Sequence, residues 1–350
     1  MFKKPLENSL LILISISLAL GLSELVVRSL KLAPEIVYVE KWRVRLSENR
    51  KIGYEPIPNL NSAGKSAQYY SYIGRSNNMG YRDYDHPLEK PTGSQRIVVL
   101  GDSVTAGLWI KGDDKIFTSV MERRLKQAGE NIDVMNFGVS GYNTSQEVET
   151  LETYGLQFNP NIVILAYCLN DRSQDDGNIY GILLAEAQKS KNTGHVDTAS
   201  INSLERHSAL LRFMRYNVLG VQSGSSRQQE KRKTIDQFYV DTVEESFENL
   251  SQLSSAHNFK VLVAIFPNFG EKDEGLKNDY AFQVEHNAIA QLSKQHGFDT
   301  IDLLAPFRTC KQKISPRSTI SFDRYHPNVI GNKCAGEALA EKVSGMLHTQ

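Results

Sequence analysis

Apolar residues in this chain fall into short continuous runs separated by stretches of mixed character. Arg96–Gly101 (RIVVLG), Ile132–Phe137, Asn161–Tyr167 (NIVILAY) and Lys260–Phe266 (KVLVAIF) are rich in β-branched residues and of strand length. Runs that are apolar at successive positions predict strands buried on both faces. A short fifth strand is predicted near Thr300–Leu303, ahead of a loop. Between these runs, apolar positions recur three or four apart. Ile116–Gln127 puts Phe117, Val120, Met121 and Leu125 on one helical face, and Gly129 is a stop signal just behind it. Helices are likewise predicted over Ser145–Tyr154, Thr242–His257, Tyr280–His296 and Val329–Leu347. Strands alternating with helices imply a parallel sheet covered on both sides, with its loops of interest at the carboxyl ends of the strands.

Three segments break this rhythm. Ser9–Val27 is apolar except for Glu24, with Lys3 and Lys4 before it and Arg28 and Lys31 after it. It is long enough to span a hydrocarbon core of roughly 30 Å. Residues 1–32 read as a membrane anchor in preference to a cleaved signal peptide ending near Ala19-Leu20-Gly21, because the apolar run continues through Leu25, Val26 and Val27. A buried core helix fits less well, since no amphipathic period is visible. Residues 33–92 form a polar approach segment in which Asn77–Pro87 (NNMGYRDYDHP) reads as turns with short extended pieces. Residues 172–235 are polar apart from Leu210–Leu219 and read as an insertion packing over one edge of a domain that runs from 93 to 350.

Forty basic residues balance forty acidic ones. A chain without net positive charge is a poor nucleic-acid binder, so no such partner is expected. The three cysteines fit no zinc pattern. Cys168 reads as a small core residue, while Cys310 and Cys334 are either a disulfide or two unrelated thiols. The charge around the apolar N-terminal segment leaves its orientation open. Segments of this kind usually export the polypeptide behind them, so the body is expected outside the cytoplasm.

Candidate chemistry gathers in four places. Gly101-Asp102-Ser103 follows the first strand, where a serine hydroxyl can project from the sheet edge; a helix-capping serine looks the same. Asn136-Phe137-Gly138-Val139-Ser140-Gly141-Tyr142-Asn143-Thr144 comes after the second strand, and its small residues leave backbone N–H groups free to face a ligand; a plain strand-to-helix loop looks the same. Cys168-Leu169-Asn170-Asp171 follows the third, and the Asn170 amide can donate to a developing oxyanion. Asp323-Arg324-Tyr325-His326 precedes the last helix, which Pro327 can start. A carboxylate three residues before an imidazole can fix its tautomer. Asp302, at a strand end, is a less favoured partner for His326. The other histidines lack a partner pattern.

In order and spacing these four blocks resemble the GDSL-like lipases and esterases of the SGNH type. The likeness covers about residues 94–348, poorly over 172–235, and the Asn-x-x-Gly-Tyr-Arg of the approach segment is similar to membrane-anchored bacterial members. It implies a three-layer α/β/α, flavodoxin-like fold with a mostly parallel five-stranded sheet. It also implies an ester hydrolase with a Ser103, His326, Asp323 triad and an oxyanion hole from Ser103, Gly141 and Asn170, working without cofactor or metal. Gly141 fits the pattern better than Gly138. Cys168 stands where the family usually has glycine. The implied partner is an acyl ester of a glycan or lipid. An O-acyltransferase acting on a surface polysaccharide and a catalytically silent tethered binding protein are the alternatives.

Overall fold

The computed structural model describes residues 3–30, 32–33, 43–60, 76–169, 208–219 and 243–348. In chain order the principal elements are α1 (Lys3–Ser29), β1 (Val44–Leu46), β2 (Tyr54–Pro56), β3 (Gln95–Gly101), α2 (Phe117–Gln127), β4 (Ile132–Gly138), α3 (Thr144–Thr150), β5 (Ile162–Tyr167), α4 (Ala209–Phe213), α5 (Val243–His257), β6 (Lys260–Ile265), α6 (Gln283–Gln295), β7 (Asp299–Asp302), α7 (Leu304–Gln312) and α8 (Val329–His348). The chain divides into two compact units, residues 1–40 with 181–235 and residues 41–180 with 236–350.

The larger unit is built on a five-stranded sheet in the order β4-β3-β5-β6-β7, every neighbouring pair parallel. Helices α2, α7 and α8 pack together, as do α3, α5 and α6, so the sheet is the middle of three layers. This is the predicted flavodoxin-like α/β fold. Ile97, Val99, Ile162, Ile164, Leu262 and Ala264 are fully or almost fully buried in the core, as continuous apolar strands require. Strand order reverses at β3, so the chain leaves β4 and β5 on opposite sides of it. The ends of these three strands therefore flank a crevice, the usual place for ligands in such sheets.

Two predictions about local structure are corrected. The segment after β7 is a helix, α7, and not a loop. Pro306 suggests a break, but it lies in the helix's first turn, where a missing N–H costs little, while Leu304 and Phe307 are buried. Pro327 does not start the last helix. Asn328 does, its Oδ1 accepting from Ile330 N at 2.9 Å and Gly331 N at 3.2 Å.

The approach segment contributes the antiparallel pair β1–β2, paired from Val44 with Pro56 to Leu46 with Tyr54. Tyr54 and Tyr81 are buried, and Arg82 is 2% exposed. Cys310 on α7 and Cys334 on α8 form a disulfide, with Cα atoms 6.3 Å apart.

In the smaller unit α1 carries a 19-residue stretch, Leu11–Ser29, long and apolar enough to cross a bilayer. Ala209–Phe213 and a following π-helical turn, Met214–Val218, make one continuous helix that packs on α1.

Candidate active site

Ser103 lies two residues past the end of β3, in a series of turns tied by Ala106 N to Asp102 O (3.0 Å) and Leu108 N to Ser103 O (2.9 Å). It caps no helix. Its Oγ is 2.8 Å from His326 Nε2 and 3.3 Å from Asp102 Oδ2. His326 Nδ1 lies 2.9 Å from both oxygens of Asp323. A carboxylate can only accept, so Nδ1 carries the proton and Nε2 is left to accept from the serine hydroxyl. Burial pushes the Asp323 carboxyl up. The hydrogen bond and charge of His326 and the N–H groups of His326 and Tyr325 outweigh this and hold it below the usual carboxylate range. The less favoured partner, Asp302, is engaged elsewhere. Its Oδ1 accepts from Leu304 N at 2.8 Å and lies 3.0 Å from Nδ1 of the buried His286.

The loop after β4 fits closely against the serine turn. A Cβ on Gly138 would stand 2.3 Å from Ala106 N, so only glycine permits this approach. Gly141 has φ +82°, a conformation other residues adopt only under strain. Tyr54 Oη donates to Ser140 O at 2.9 Å, immediately before it. Asn143 then starts α3 through a reciprocal box with Gln146. Asn170 lies outside the described residues. Two positions earlier, the buried Cys168 donates from Sγ to Asp102 Oδ1 at 3.6 Å, so the thiol that stands in for glycine reaches the residue beside Ser103.

Residues 99–334 match the GDSL-like lipase/acylhydrolase family. The chain belongs to this family. As a member it is a carboxylic ester hydrolase. Among solved structures, an acetyl xylan esterase is 20% identical, over 71% of this chain and 99% of its own, with a TM-score of 0.43. A catalytic mutant of an acetylxylan esterase from Geobacillus stearothermophilus is 13% identical over 73% of this chain and 96% of its own, TM-score 0.42. A psychrotrophic esterase from Pseudoalteromonas sp. is 12% identical over 73% and 100%, TM-score 0.40. No curated protein matches the chain.

Four further residues of this GDSL-type hydrolase shape the site, and of these only Arg82 falls in a motif noted in the sequence, the Asn-x-x-Gly-Tyr-Arg of the approach segment, which does not itself point to the site. Trp109 has φ +65° and is 41% exposed, its ring 4.8 Å from that of His326 and 6.0 Å from Phe322. A bulky residue held in the left-handed region marks a constrained position beside the reacting groups. Arg82, from the approach segment, spans the turn that carries Trp109. Its guanidinium donates to Gly107 O (2.7 Å), Ile110 O (2.8 Å) and Asp113 Oδ1 (2.8 Å). Asp273 holds the loop that carries Asp323 and His326, accepting from Ile320 N (2.8 Å), Ser321 N (3.1 Å) and Ser321 Oγ (2.6 Å), with Lys311 Nζ at 3.1 Å. Glu147, on α3, is buried and neither carboxyl oxygen has a hydrogen-bond partner. Burial first, and then the charge of Asp102, push it well above the usual carboxylate range.

Proposed function

We propose that Ser103 is the nucleophile of this ester hydrolase, His326 its general base and then acid, and Asp323 the carboxylate that orients the imidazole. The observation that carries this reading is the unbroken line from Ser103 Oγ to His326 Nε2 (2.8 Å) and from His326 Nδ1 to Asp323 (2.9 Å). Ser103 Oγ attacks the carbonyl carbon while Nε2 takes the hydroxyl proton. The carbonyl electron pair moves onto oxygen, where the N–H groups of Ser103 and Gly141 and the amide of Asn170 are the assigned donors. Removing one such donor costs about 3 kcal/mol of barrier. Collapse expels the alcohol, which leaves with the proton from Nε2, and the acyl group stays on Ser103. Water, deprotonated by His326, then repeats the attack, releasing the acid and restoring the hydroxyl.

The substrate class is an acyl ester of a cell-envelope glycan or lipid. Support comes from the exposed faces of Trp109 and Phe322 beside the triad and from the apolar α1, read as an anchor with the hydrolase outside the cytoplasm. The Cys310–Cys334 disulfide fits an oxidising compartment.

Nitrophenyl esters of increasing acyl length, acetylated sugars and a fluorophosphonate probe test the chemistry. Ser103→Ala is expected to lose turnover by on the order of 10⁴-fold or more and to lose probe labelling, with its unfolding midpoint unchanged. A Ser103→Ala protein that keeps full activity removes the assignment. Retention of the full chain in carbonate-washed membranes, with its N-terminus intact by mass, tests the anchor.

A further inference from the structure

Glu24 is the one charged residue within the apolar run Ser9–Val27. Its carboxylate receives three hydrogen bonds from the insertion: Ser208 Oγ, Ala209 N and Leu210 N, each at 2.8 Å. Ser208 Oγ in turn accepts from Leu211 N at 3.1 Å. The first N–H groups of a helix lack partners within the helix and normally turn to water. Here Ala209, Leu210 and Leu211 are all served by side chains in place of solvent. Such internal satisfaction is what a lipid environment demands of every backbone polar group.

The same helix exposes several apolar side chains. Leu211, Met214 and Val218, spaced three and four apart, are 44%, 43% and 56% exposed, and Leu219 behind them is 70% exposed. They form a stripe along one face, and α1, against which the helix packs, is itself covered by exposed Leu and Ile side chains. Glu24 lies five residues before the end of α1, roughly 8 Å along the axis, in the last third of the stretch long and apolar enough to cross a bilayer. Ten residues are too few to cross a bilayer but enough to lie within its boundary.

We propose that Ala209–Val218 is a second membrane-embedded element, an interfacial helix docked on α1 through Glu24, with Leu211, Met214 and Val218 immersed in acyl chains. This rests on the reading of α1 as an anchor. It gives Glu24 a function: a carboxylate is tolerated at that level because Arg28, one turn along α1, pairs with it at 2.5 Å and because it caps a partner helix. It also means that the hydrolase is tied to the bilayer at two separated points of the chain, before β1 and within the insertion.

The test uses the full chain in vesicles of phosphatidylethanolamine and phosphatidylglycerol. Leu211→Cys, Met214→Cys and Val218→Cys, each in a Cys168→Ala background, are labelled with a polarity-sensitive fluorophore and compared with Leu18→Cys on α1 and Lys126→Cys on α2. The three insertion labels are expected to show blue-shifted emission and loss of intensity with spin-labelled lipid, as at Leu18 and unlike Lys126. Glu24→Ala is expected to shift the Leu211 label to aqueous emission while the Leu18 label stays in lipid. Aqueous emission at all three insertion positions with Leu18 in lipid overturns the proposal and leaves the anchor standing. Aqueous emission at Leu18 as well overturns both.

Discussion

Glu147 is a carboxyl group buried beside the loop it follows, with no hydrogen bond to either oxygen. Its folded pKa is raised, so between the unfolded value and that raised value the folded chain binds a proton that the unfolded chain has released. Stability therefore falls as pH rises through that window. Glu147→Gln removes the titration, and its stability relative to the parent is expected to grow from pH 5 to pH 8; equal pH slopes in thermal unfolding would contradict this. Trp109 offers a second residue-scale outcome. Trp109→Gly relieves a left-handed conformation worth about 1 kcal/mol. The variant is expected to keep or raise its unfolding midpoint while KM for ester substrates rises; a loss of stability with unchanged KM would assign the ring to packing alone. Ser103, Asp323 and His326, which the structure brings together, can be picked out in the sequence because each sits in a short local motif, as do the proposed oxyanion donors Gly141 and Asn170. Trp109, Arg82, Asp273 and Glu147 cannot, since what sets each of them apart is a backbone angle, a remote partner or the lack of one. Arg82 acts on carbonyls about 25 residues away and Asp273 on N–H groups 47 and 48 residues away.

At the scale of elements, the strands of the large sheet are readable because burial on both faces leaves an uninterrupted apolar run. β1 and β2 are not, being three residues each and carrying Arg45 and Glu55, which pair with one another. The Ser321–Asn328 loop has the opposite character: its motif is plain, yet its shape comes from elsewhere. Ser321 pairs with Pro327, and Phe322 N donates to His326 O at 2.8 Å, but Asp273 supplies the anchor from outside. Asp273→Ala leaves the buried N–H groups of Ile320 and Ser321 unpaired. It is expected to cost about 2 kcal/mol or more in chemical denaturation. It should lower kcat more than it raises KM, because the base is displaced while Trp109 stays on its own turn. Asp273→Asn, which keeps one acceptor oxygen, should recover part of both effects. An unchanged kcat in Asp273→Ala would show that the loop holds itself.

For the whole molecule, the Cys310–Cys334 disulfide closes a loop that contains the proposed acid-base pair, with 24 residues of sequence separation. A loop of that length stabilises by about 3 kcal/mol through the unfolded chain. Reductant is expected to lower the urea midpoint of the native protein to that of a Cys310→Ser, Cys334→Ser double variant, which itself should not respond. Matching midpoints with and without reductant would contradict this. The approach segment has a consequence of another kind. The family match begins at residue 99, within β3, whereas the supports of the site begin 45 residues earlier at Tyr54 and continue through Arg82. A fragment cut at the family boundary would retain Ser103, Asp323 and His326. It would lose the hydroxyl that steadies Ser140 and the guanidinium that spans the Trp109 turn, and it would bare the face of Phe137 on which Tyr81 packs. The smallest piece of this enzyme expected to fold and turn over ester therefore starts near residue 43, outside the homology that identifies it.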